Sequence, residues 1–243
     1  MSLDKKALVI QHLDHDQPGR FLDFFAEDGF FPVFVRLFEG QRIPDLSGFD
    51  LMLVQGGAQN VWQEAEYPWF AEEKAAIREW VAAGKPYFGL CLGHQLLCDA
   101  HGGAVGPAAL GEVGVFDINV TEAGAGHPLM AGQGLRQRVM QWHHAEVKRA
   151  PEGAVILAES ARTRIQAVAI GDRAIGTQFH CELTTQSMAT WASLPTWLAA
   201  LRAEHGPSAY EDFIRAAYPL MPEMERFTRG LWRNLMRVSG FRT

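Results

Sequence analysis

The chain has 243 residues, of which 48% are hydrophobic and 21% are charged, proportions typical of a soluble globular protein. Its formal net charge is −6, whereas nucleic-acid binding needs a positively charged surface, so we expect no nucleic-acid partner. Three cysteines do not suggest a disulfide framework in a chain this long, which favours a reducing cytoplasm. The first apolar run, residues 7–10, is too short for a signal sequence or a membrane span, and we expect no membrane partner.

The first part of the chain alternates predicted strands and helices. Residues 21–27 predict a helix that ends before Gly29, and the i, i+3, i+4 spacing of Ile77, Trp80 and Val81 predicts another. Apolar runs between these helices predict strands at residues 7–10, 31–38, 51–54 and 87–90. Strands separated by helices pair in parallel, and an open parallel sheet binds its ligand at the carboxyl edge.

The pattern changes after Gly103. Strand-like runs predict an antiparallel extension that returns to the main sheet, at residues 113–120, 139–142, 154–158, 165–170 and 174–179. After Leu183 the chain is predicted to be helical. Its last helix has one apolar stripe, which we expect to pack against the domain, with a partner-binding helix as the alternative: Met224, Phe227, Leu231, Leu235 and Val238.

These elements predict an α/β fold. We expect a three-layer, open, mostly parallel sheet with helices on both faces, an antiparallel extension and a C-terminal helical tail. A chain of this length buries roughly 70–75% of its unfolded surface, enough for one large domain. We therefore predict a single domain over residues 1–243, with its core at 5–190 and a helical extension at 191–243.

Cys91 lies at a predicted turn between a strand and a helix, between Gly89 and Gly93. A turn flanked by glycines lifts one side chain clear of the sheet, because a Cβ nearby would crowd the tight backbone. The helix that follows directs N–H groups and its positive dipole end at the sulfur, which favours the thiolate. A reactive cysteine and a buried structural cysteine are both consistent with this motif alone.

His180 and Glu182 favour the reactive interpretation. They follow a predicted strand and are two residues apart, so in an extended segment both side chains point the same way. A histidine can take the proton of Cys91, and a carboxylate can fix its tautomer and stabilise the imidazolium. Either residue alone is more simply a core histidine or a solvated carboxylate, but the combination with Cys91 favours catalysis.

Six motifs in this order resemble those of the class I, or triad, glutamine amidotransferases, in particular stand-alone proteins similar to the amidotransferase domain of GMP synthase. They are Gln-Gly-Gly-Ala at 55–58, Gly-Leu-Cys-Leu-Gly-His-Gln at 89–95, His-Gly-Gly-Ala-Val at 101–105, Gly-Glu-Val-Gly at 111–114, Trp-His-His-Ala-Glu at 142–146 and Gly-Thr-Gln-Phe-His-Cys-Glu at 176–182. The resemblance covers residues 50 to 185 and implies an enzyme.

The resemblance implies a catalytic triad of Cys91, His180 and Glu182, which removes ammonia from the side-chain amide of glutamine through a γ-glutamyl thioester. It also implies an oxyanion hole formed by the backbone N–H groups of Gly57 and Leu92. Two fixed N–H donors are suited to this role, because negative charge develops on the former amide oxygen in the tetrahedral intermediate.

The resemblance further implies a substrate pocket formed by Gly56, Gln95, His144 and Glu146. His144 and Glu146 correspond to the family's His-Gly-Asp segment, although Ala145 and Glu146 depart from it. Where the family usually has proline, this chain has Ala58 after the paired glycines and Cys181 between the histidine and the glutamate. Strand alternation predicts that Cys181 points away from the base and has a packing role.

The remaining motifs limit the activity. No paired Cys/His spacing suggests a metal site, His143 and His144 are expected on opposite faces of a strand, and no cofactor is implied. No phosphate-binding glycine loop exists, so a separate synthetase is the expected partner and glutamine or another γ-glutamyl small molecule the expected substrate. The alternatives are a free-standing γ-glutamyl amide or peptide hydrolase and a non-catalytic binding subunit. Other α/β families with a similar cysteine turn lack the Phe-His-x-Glu ending.

Overall fold

Nine strands form one mixed sheet in the computed structural model, which describes residues 4–242 apart from the side chains of Ala192 and Thr196. In chain order, β1 to β9 are Lys5–Gln11, Phe30–Arg36, Leu51–Val54, Tyr87–Leu90, Ala104–Val120, Arg136–Arg149, Val155–Glu159, Ala167–Ile170 and Ala174–Thr177. Their order across the sheet is β2-β1-β3-β4-β9-β8-β7-β5-β6. The first five strands of this order are parallel, and the other four extend the sheet by antiparallel pairing.

Helices cover both faces of the parallel part. Within the described residues, α1 to α8 are Phe21–Asp28, Trp69–Ala82, Leu92–Ala100, Glu122–Ala125, Thr185–Ala192, Pro195–His205, Ala209–Ala217 and Met221–Val238. One core cluster joins α1 and α8 to one face of β1 and β3, and a second joins α2 and α3 to the other face. Each fully buried Leu or Phe in these clusters contributes roughly 1.5–3 kcal/mol. The predicted α/β fold with helices on both faces and an antiparallel extension is confirmed.

Several predicted strand boundaries differ from the structure. Strand β6, Arg136–Arg149, extends well beyond the predicted 139–142 at its carboxyl end, where the residues are mostly polar and form no apolar run. The second strand ends at Arg36 rather than at residue 38, because the chain turns into a 3-10 helix, Leu37–Glu39, that ends at Gly40 with φ 79°. The first strand of the extension begins at Ala104, well before residue 113. Its early part has an irregular register and contains Pro107, so it lacks the regular alternation by which a strand is identified.

The C-terminal helix α8 belongs to the core of the sheet. Phe227, Leu231 and Leu235 of the predicted stripe are buried in the same cluster as α1. Trp232, next to the stripe, is also buried and donates a hydrogen bond from Nε1 to Asp28 Oδ2 over 2.6 Å. The stripe therefore packs against the domain as predicted. The predicted domain limits, residues 1 and 243, lie outside the described residues. Between residues 4 and 242, no helix has the length and apolarity needed to cross a membrane.

Candidate active site

Cys91 occupies the turn between β4 and α3 at the carboxyl edge of the parallel sheet. Its backbone has φ 51° and ψ −100°, and no other non-glycine residue between 4 and 242 has a positive φ. The Cys91 N–H donates to the Thr177 carbonyl over 2.8 Å, which ties the turn to the end of β9. Non-glycine residues with such dihedral angles concentrate at functional sites, where the surrounding structure maintains the strain.

Two glycines allow this turn to form. A Cβ on Gly89 would lie 2.6 Å from the backbone of Gly93, and a Cβ on Gly93 would lie 2.3 Å from the Val54 carbonyl oxygen. Both distances are far below van der Waals contact. The close approach of α3 to β3 and β4, which orients the Cys91 side chain, therefore requires glycine at both positions.

His180 and Glu182 follow β9 and form a buried pair. The His180 N–H donates to the Met140 carbonyl over 2.8 Å, and its ring Nδ1 lies 2.7 Å from Glu182 Oε1. Burial opposes a charged imidazole, but the negative charge of Glu182 and the contact with Cys91 outweigh it and hold the pKa of His180 well above its usual value. With Nδ1 directed at Glu182, the other ring nitrogen, Nε2, is left to interact with Cys91.

Gly56 lies where the cysteine and the histidine meet. A Cβ at this position would lie 3.6 Å from Cys91 Cβ, 3.4 Å from His180 Cε1 and 2.8 Å from a carboxylate oxygen of Asp16. The structure thus brings Cys91, His180, Glu182 and Gly56 together at one end of the sheet. It also adds Asp16, from the loop after β1, to the same group.

Gly57 and Leu92 lie side by side next to Cys91. A Cβ on Gly57 would lie 2.7 Å from Leu92 Cδ2, and both residues line a cavity together with Cys91. Neither N–H donates to an acceptor within the described residues. Both are therefore free to donate to an oxygen bound beside the sulfur.

A buried pair supports the loop that contains Gly56. His12 Nδ1 lies 2.8 Å from the Gly56 carbonyl oxygen and Nε2 lies 3.0 Å from Glu73 Oε1, with both side chains fully buried. Burial opposes a charge on His12, but Glu73 outweighs it and raises the pKa of the imidazole. These contacts of His12 fix the backbone that presents Gly57.

The cavity beside Gly57 and Leu92, which we call the polar cavity, has a volume of about 260 Å³. Gln95, on its wall, donates from Nε2 to the Ala145 carbonyl over 3.1 Å and to Gln178 Oε1 over 3.0 Å. Gln178 in turn donates from Nε2 to Cys91 Sγ over 3.5 Å. A chain of buried amides therefore joins the wall of the cavity to the sulfur.

His144 and Glu146, the other predicted pocket residues, are placed differently. His144 lines the polar cavity but is half-exposed, and its Nε2 lies 2.8 Å from Glu204 Oε1 on α6. Glu146 pairs with Lys148 and is not part of the cavity lining that the described residues form. His143 points into the protein, where Nε2 lies 2.9 Å from Glu112 Oε2. The two adjacent histidines occupy opposite faces of β6, as alternation predicts.

A second cavity, which we call the tryptophan cavity, opens on the side of Cys91 where His180 lies, and its volume is about 140 Å³. Its aromatic wall consists of Trp142, Trp191 and Trp197. Trp142 and Trp197 stack with ring centroids 4.5 Å apart, and Trp191 lies 5.5 Å from Trp197. Strand β6 and helices α5 and α6 supply these side chains.

Comparison with known proteins assigns this chain to a family. The family model for class I glutamine amidotransferases matches residues 31–191, well over half of the chain. The chain belongs to the class I glutamine amidotransferase family. It is 32% identical over 183 residues to a glutamine amidotransferase-like protein, YfeJ, of Salmonella typhimurium, covering 74% of this chain and 76% of that protein.

Two further comparisons agree with the amidotransferase assignment. One subunit of the glutamine-hydrolyzing GMP synthase of Sulfolobus acidocaldarius is 32% identical over 146 residues, 59% of this chain and 72% of that one. The crystal structure of a glutamine amidotransferase from Thermotoga maritima superposes with a TM-score of 0.86 over 97% of this chain and 98% of that one. At 23% identity, this likeness shows the fold.

The other two cysteines of this protein are buried in its cores. Cys98 is fully buried on α3, and Cys181 is 1% exposed within the cluster that includes α8. Burial raises the pKa of both thiols, which makes them poor nucleophiles. No group of three or more His, Cys, Asp or Glu side chains in the described part of the chain is arranged to hold a metal ion.

Three polar residues of the candidate site were not predicted from the sequence. His12 and Asp16 follow β1, and Gln178 comes two residues before His180. Polar residues after a buried parallel strand are a usable signal, because that edge of the sheet forms the site. The alternation that pairs His180 with Glu182 also applies to Gln178. Their contacts with Gly56 and Cys91, however, depend on tertiary structure.

Proposed function

We propose that this protein hydrolyses the side-chain amide of glutamine through a γ-glutamyl thioester on Cys91. The arrangement of a strained cysteine, the His180–Glu182 pair and two unpaired N–H groups supports this reaction more than any other single observation. It supplies a nucleophile, an oriented base and donors for an oxyanion, the three groups that acyl transfer needs.

The first step forms the thioester. The sulfur of Cys91 attacks the amide carbon while the thiol proton resides on His180 Nε2, so a C–S bond forms and the amide oxygen becomes negative. The N–H groups of Gly57 and Leu92 donate to that oxygen. Losing one such donor typically raises the barrier by about 3 kcal/mol. Glu182 accepts from Nδ1 throughout and stabilises the imidazolium.

The second step releases the nitrogen, and water completes the reaction. The tetrahedral intermediate collapses, the C–N bond breaks, and the proton of His180 moves to the departing nitrogen, so that ammonia leaves. Water then attacks the thioester with His180 as the base, which yields glutamate and returns the proton to Cys91. No group other than those of the site and water is required.

The polar cavity is suited to the γ-glutamyl part of the substrate. Gln95 and His144 lie on its walls, and Gly56 leaves room between the sulfur and the imidazole because it lacks a side chain. Glu146 lies outside this lining, and its contact with the substrate stays a prediction. The hydrogen bond from Gln95 to the Ala145 carbonyl fixes the wall before substrate binds.

We further propose that a separate synthetase uses the ammonia in the cytoplasm. Two observations support this partner: the similarity to one subunit of a GMP synthase, and the lack of a phosphate-binding glycine loop in the sequence. A catalytic thiol also needs reducing surroundings.

The test is a glutaminase assay that follows glutamate and ammonia together. We expect equal amounts of both products from glutamine with the wild-type protein and neither with Cys91→Ala, whereas Cys98→Ala retains the activity. Glutamine turnover is expected to rise when the synthetase and its acceptor are added. A Cys91→Ala variant that still releases glutamate at the wild-type rate would contradict the proposal.

A further inference from the structure

The three tryptophans of the tryptophan cavity have no role in the proposed cleavage of glutamine, whose leaving group is ammonia. We propose that this cavity is a binding site for the amine part of the substrate, and that the protein cleaves γ-glutamyl amides whose amine bears an aromatic or apolar body. This inference rests on the proposed function, because it assigns the second half of the substrate to the same thioester reaction.

The position of His180 determines on which side of the sulfur the leaving amine lies. The two cavities share Gly57, Ala58, Cys91 and Trp142, but His180 lines only the tryptophan cavity and Gln95 only the polar cavity. Because His180 gives its proton to the departing nitrogen, that nitrogen has to lie on the His180 side of the sulfur. A γ-glutamyl group in the polar cavity therefore directs its amine substituent into the tryptophan cavity.

The lining of this cavity matches an apolar ring. Trp191 also packs edge-on against His180, with ring centroids 5.7 Å apart, so the aromatic wall reaches the atoms that react. Ammonia is small and polar and gains nothing from three indole rings, whereas a phenyl or alkyl group buries its surface against them. The volume of about 140 Å³ is close to the roughly 150 Å³ of an apolar protein cavity that binds benzene.

Asp16 provides an acceptor for the amine nitrogen. Its side chain lines the cavity and is 6% exposed, and no group in residues 4–242 hydrogen-bonds to its carboxylate. Burial and the nearby charge of Glu182 raise the pKa of Asp16 to about 6, although His180 and His12 oppose the shift. Above that pH the carboxylate can accept a hydrogen bond from the N–H of the leaving amine, while His15 lines the same cavity.

The proposed step is balanced without any further reactant. The Cys91 sulfur bonds to the γ-carbon of the substrate, the C–N bond breaks, and the proton of His180 passes to the nitrogen. The free amine departs past the tryptophan side chains, and water hydrolyses the thioester to glutamate. The chemistry is that of glutamine cleavage with a larger amine in place of ammonia.

The experiment compares γ-glutamyl amides of amines with similar basicity: methylamine, butylamine and 2-phenylethylamine. Similar basicity ensures that differences in kcat/KM arise from binding of the substituent and not from the intrinsic ease of C–N cleavage. We expect the 2-phenylethylamide to exceed the methylamide in kcat/KM on the order of tenfold to a hundredfold, with the butylamide between them.

Variants of Trp197 test the cavity directly. Trp197→Ala is expected to reduce the preference for the 2-phenylethylamide to near one, and Trp197→Phe is expected to retain most of it. The control is Phe31→Ala, because Phe31 is half-exposed near the amino end of the edge strand β2, at the opposite end from the site. This control is expected to leave kcat/KM unchanged for both the methylamide and the 2-phenylethylamide.

The outcomes separate the amine site from the proposed function. Equal kcat/KM for the methylamide and the 2-phenylethylamide, or an equal loss for both in Trp197→Ala, would overturn the amine site and leave glutamine cleavage intact. Absence of Cys91-dependent glutamate release from every amide would overturn the proposed function. In that event calorimetry of 2-phenylethylamine with Cys91→Ala decides: Trp197-dependent binding supports the site, and no binding overturns it.

Discussion

The two cavities beside Cys91 are built in different ways. The polar cavity is formed by three short segments, at 57–60, 91–95 and 142–145, and hydrogen-bonded amides fix its wall. The tryptophan cavity shares residues of these segments, among them Cys91 and Trp142, but adds the loop after β1, His180 and helices α5 and α6, and its wall is aromatic. The polar cavity therefore lies largely within motifs that the sequence identifies, whereas the tryptophan cavity also needs residues of the loop after β1 and of helices α5 and α6 that no motif predicts.

The largest expected effect is the loss of turnover in a Glu182 variant, because Glu182 orients the histidine that acts on every amide. Glu182→Gln removes the charge that holds His180 in its tautomer, so we expect kcat to fall about 10³- to 10⁴-fold for every amide, with little change in KM. Glu152→Gln, on the surface between β6 and β7, is the control. If Glu182→Gln lost no more activity than this control, or lost activity toward only one class of amide, the shared chemistry would be wrong.

A smaller loss of activity is expected when Gln178, beside the polar cavity, is substituted. Gln178→Leu removes the donor to Cys91 Sγ and the acceptor of Gln95. Hydrogen bonds to charged groups contribute about 1.5–3 kcal/mol, so kcat/KM should fall roughly 10- to 100-fold for glutamine and the larger amides alike. The rate of iodoacetamide reaction at neutral pH should fall as well, which a purely structural defect in substrate binding would not cause. A loss confined to the larger amides would contradict this prediction, because it would show that Gln178 acts on the amine substituent and not on the sulfur.

The last predicted effect is a change in the free energy of unfolding, caused by Asp16 on the wall of the tryptophan cavity. The folded protein holds the pKa of Asp16 at about 6 instead of 3.8, so its carboxyl binds a proton more tightly when folded. Stability is therefore lost as pH rises from 4 through 6. We expect Asp16→Asn to exceed the wild type by roughly 3 kcal/mol in unfolding free energy at pH 8, and the difference to vanish below pH 4. Urea unfolding measures it, and a less stable Asn variant at pH 8 would contradict this account.

The contrast between short local motifs and residues from distant elements also explains which features the sequence predicts. Apolar runs and glycine positions identify β1, β3, β4 and α1, because these signals are local. The turn at Cys91 is predicted for the same reason, since Gly89 and Gly93 are within two residues of it.

The remaining features depend on tertiary contacts. Asp16 and Trp197 line one cavity although 181 positions separate them, and no periodicity links a loop after the first strand to α6. The support of Gly56 by His12 and Glu73 joins three segments, so it is visible only in the fold. The apolar stripe predicts that helix α8 packs against the domain, but not that Trp232, next to the stripe, packs among the phenylalanines of α1, which are far away in sequence.

The most direct test of the account is to identify the cysteine that reacts with a glutamine-like electrophile. A diazoketone analogue of glutamine is incubated with the protein, with and without excess glutamine, and the modified peptide is located by mass spectrometry. We predict one adduct per chain, on Cys91, that glutamine suppresses and that is absent from Cys91→Ala. Modification of the buried Cys181 or Cys98 in preference to Cys91 would contradict the central claim.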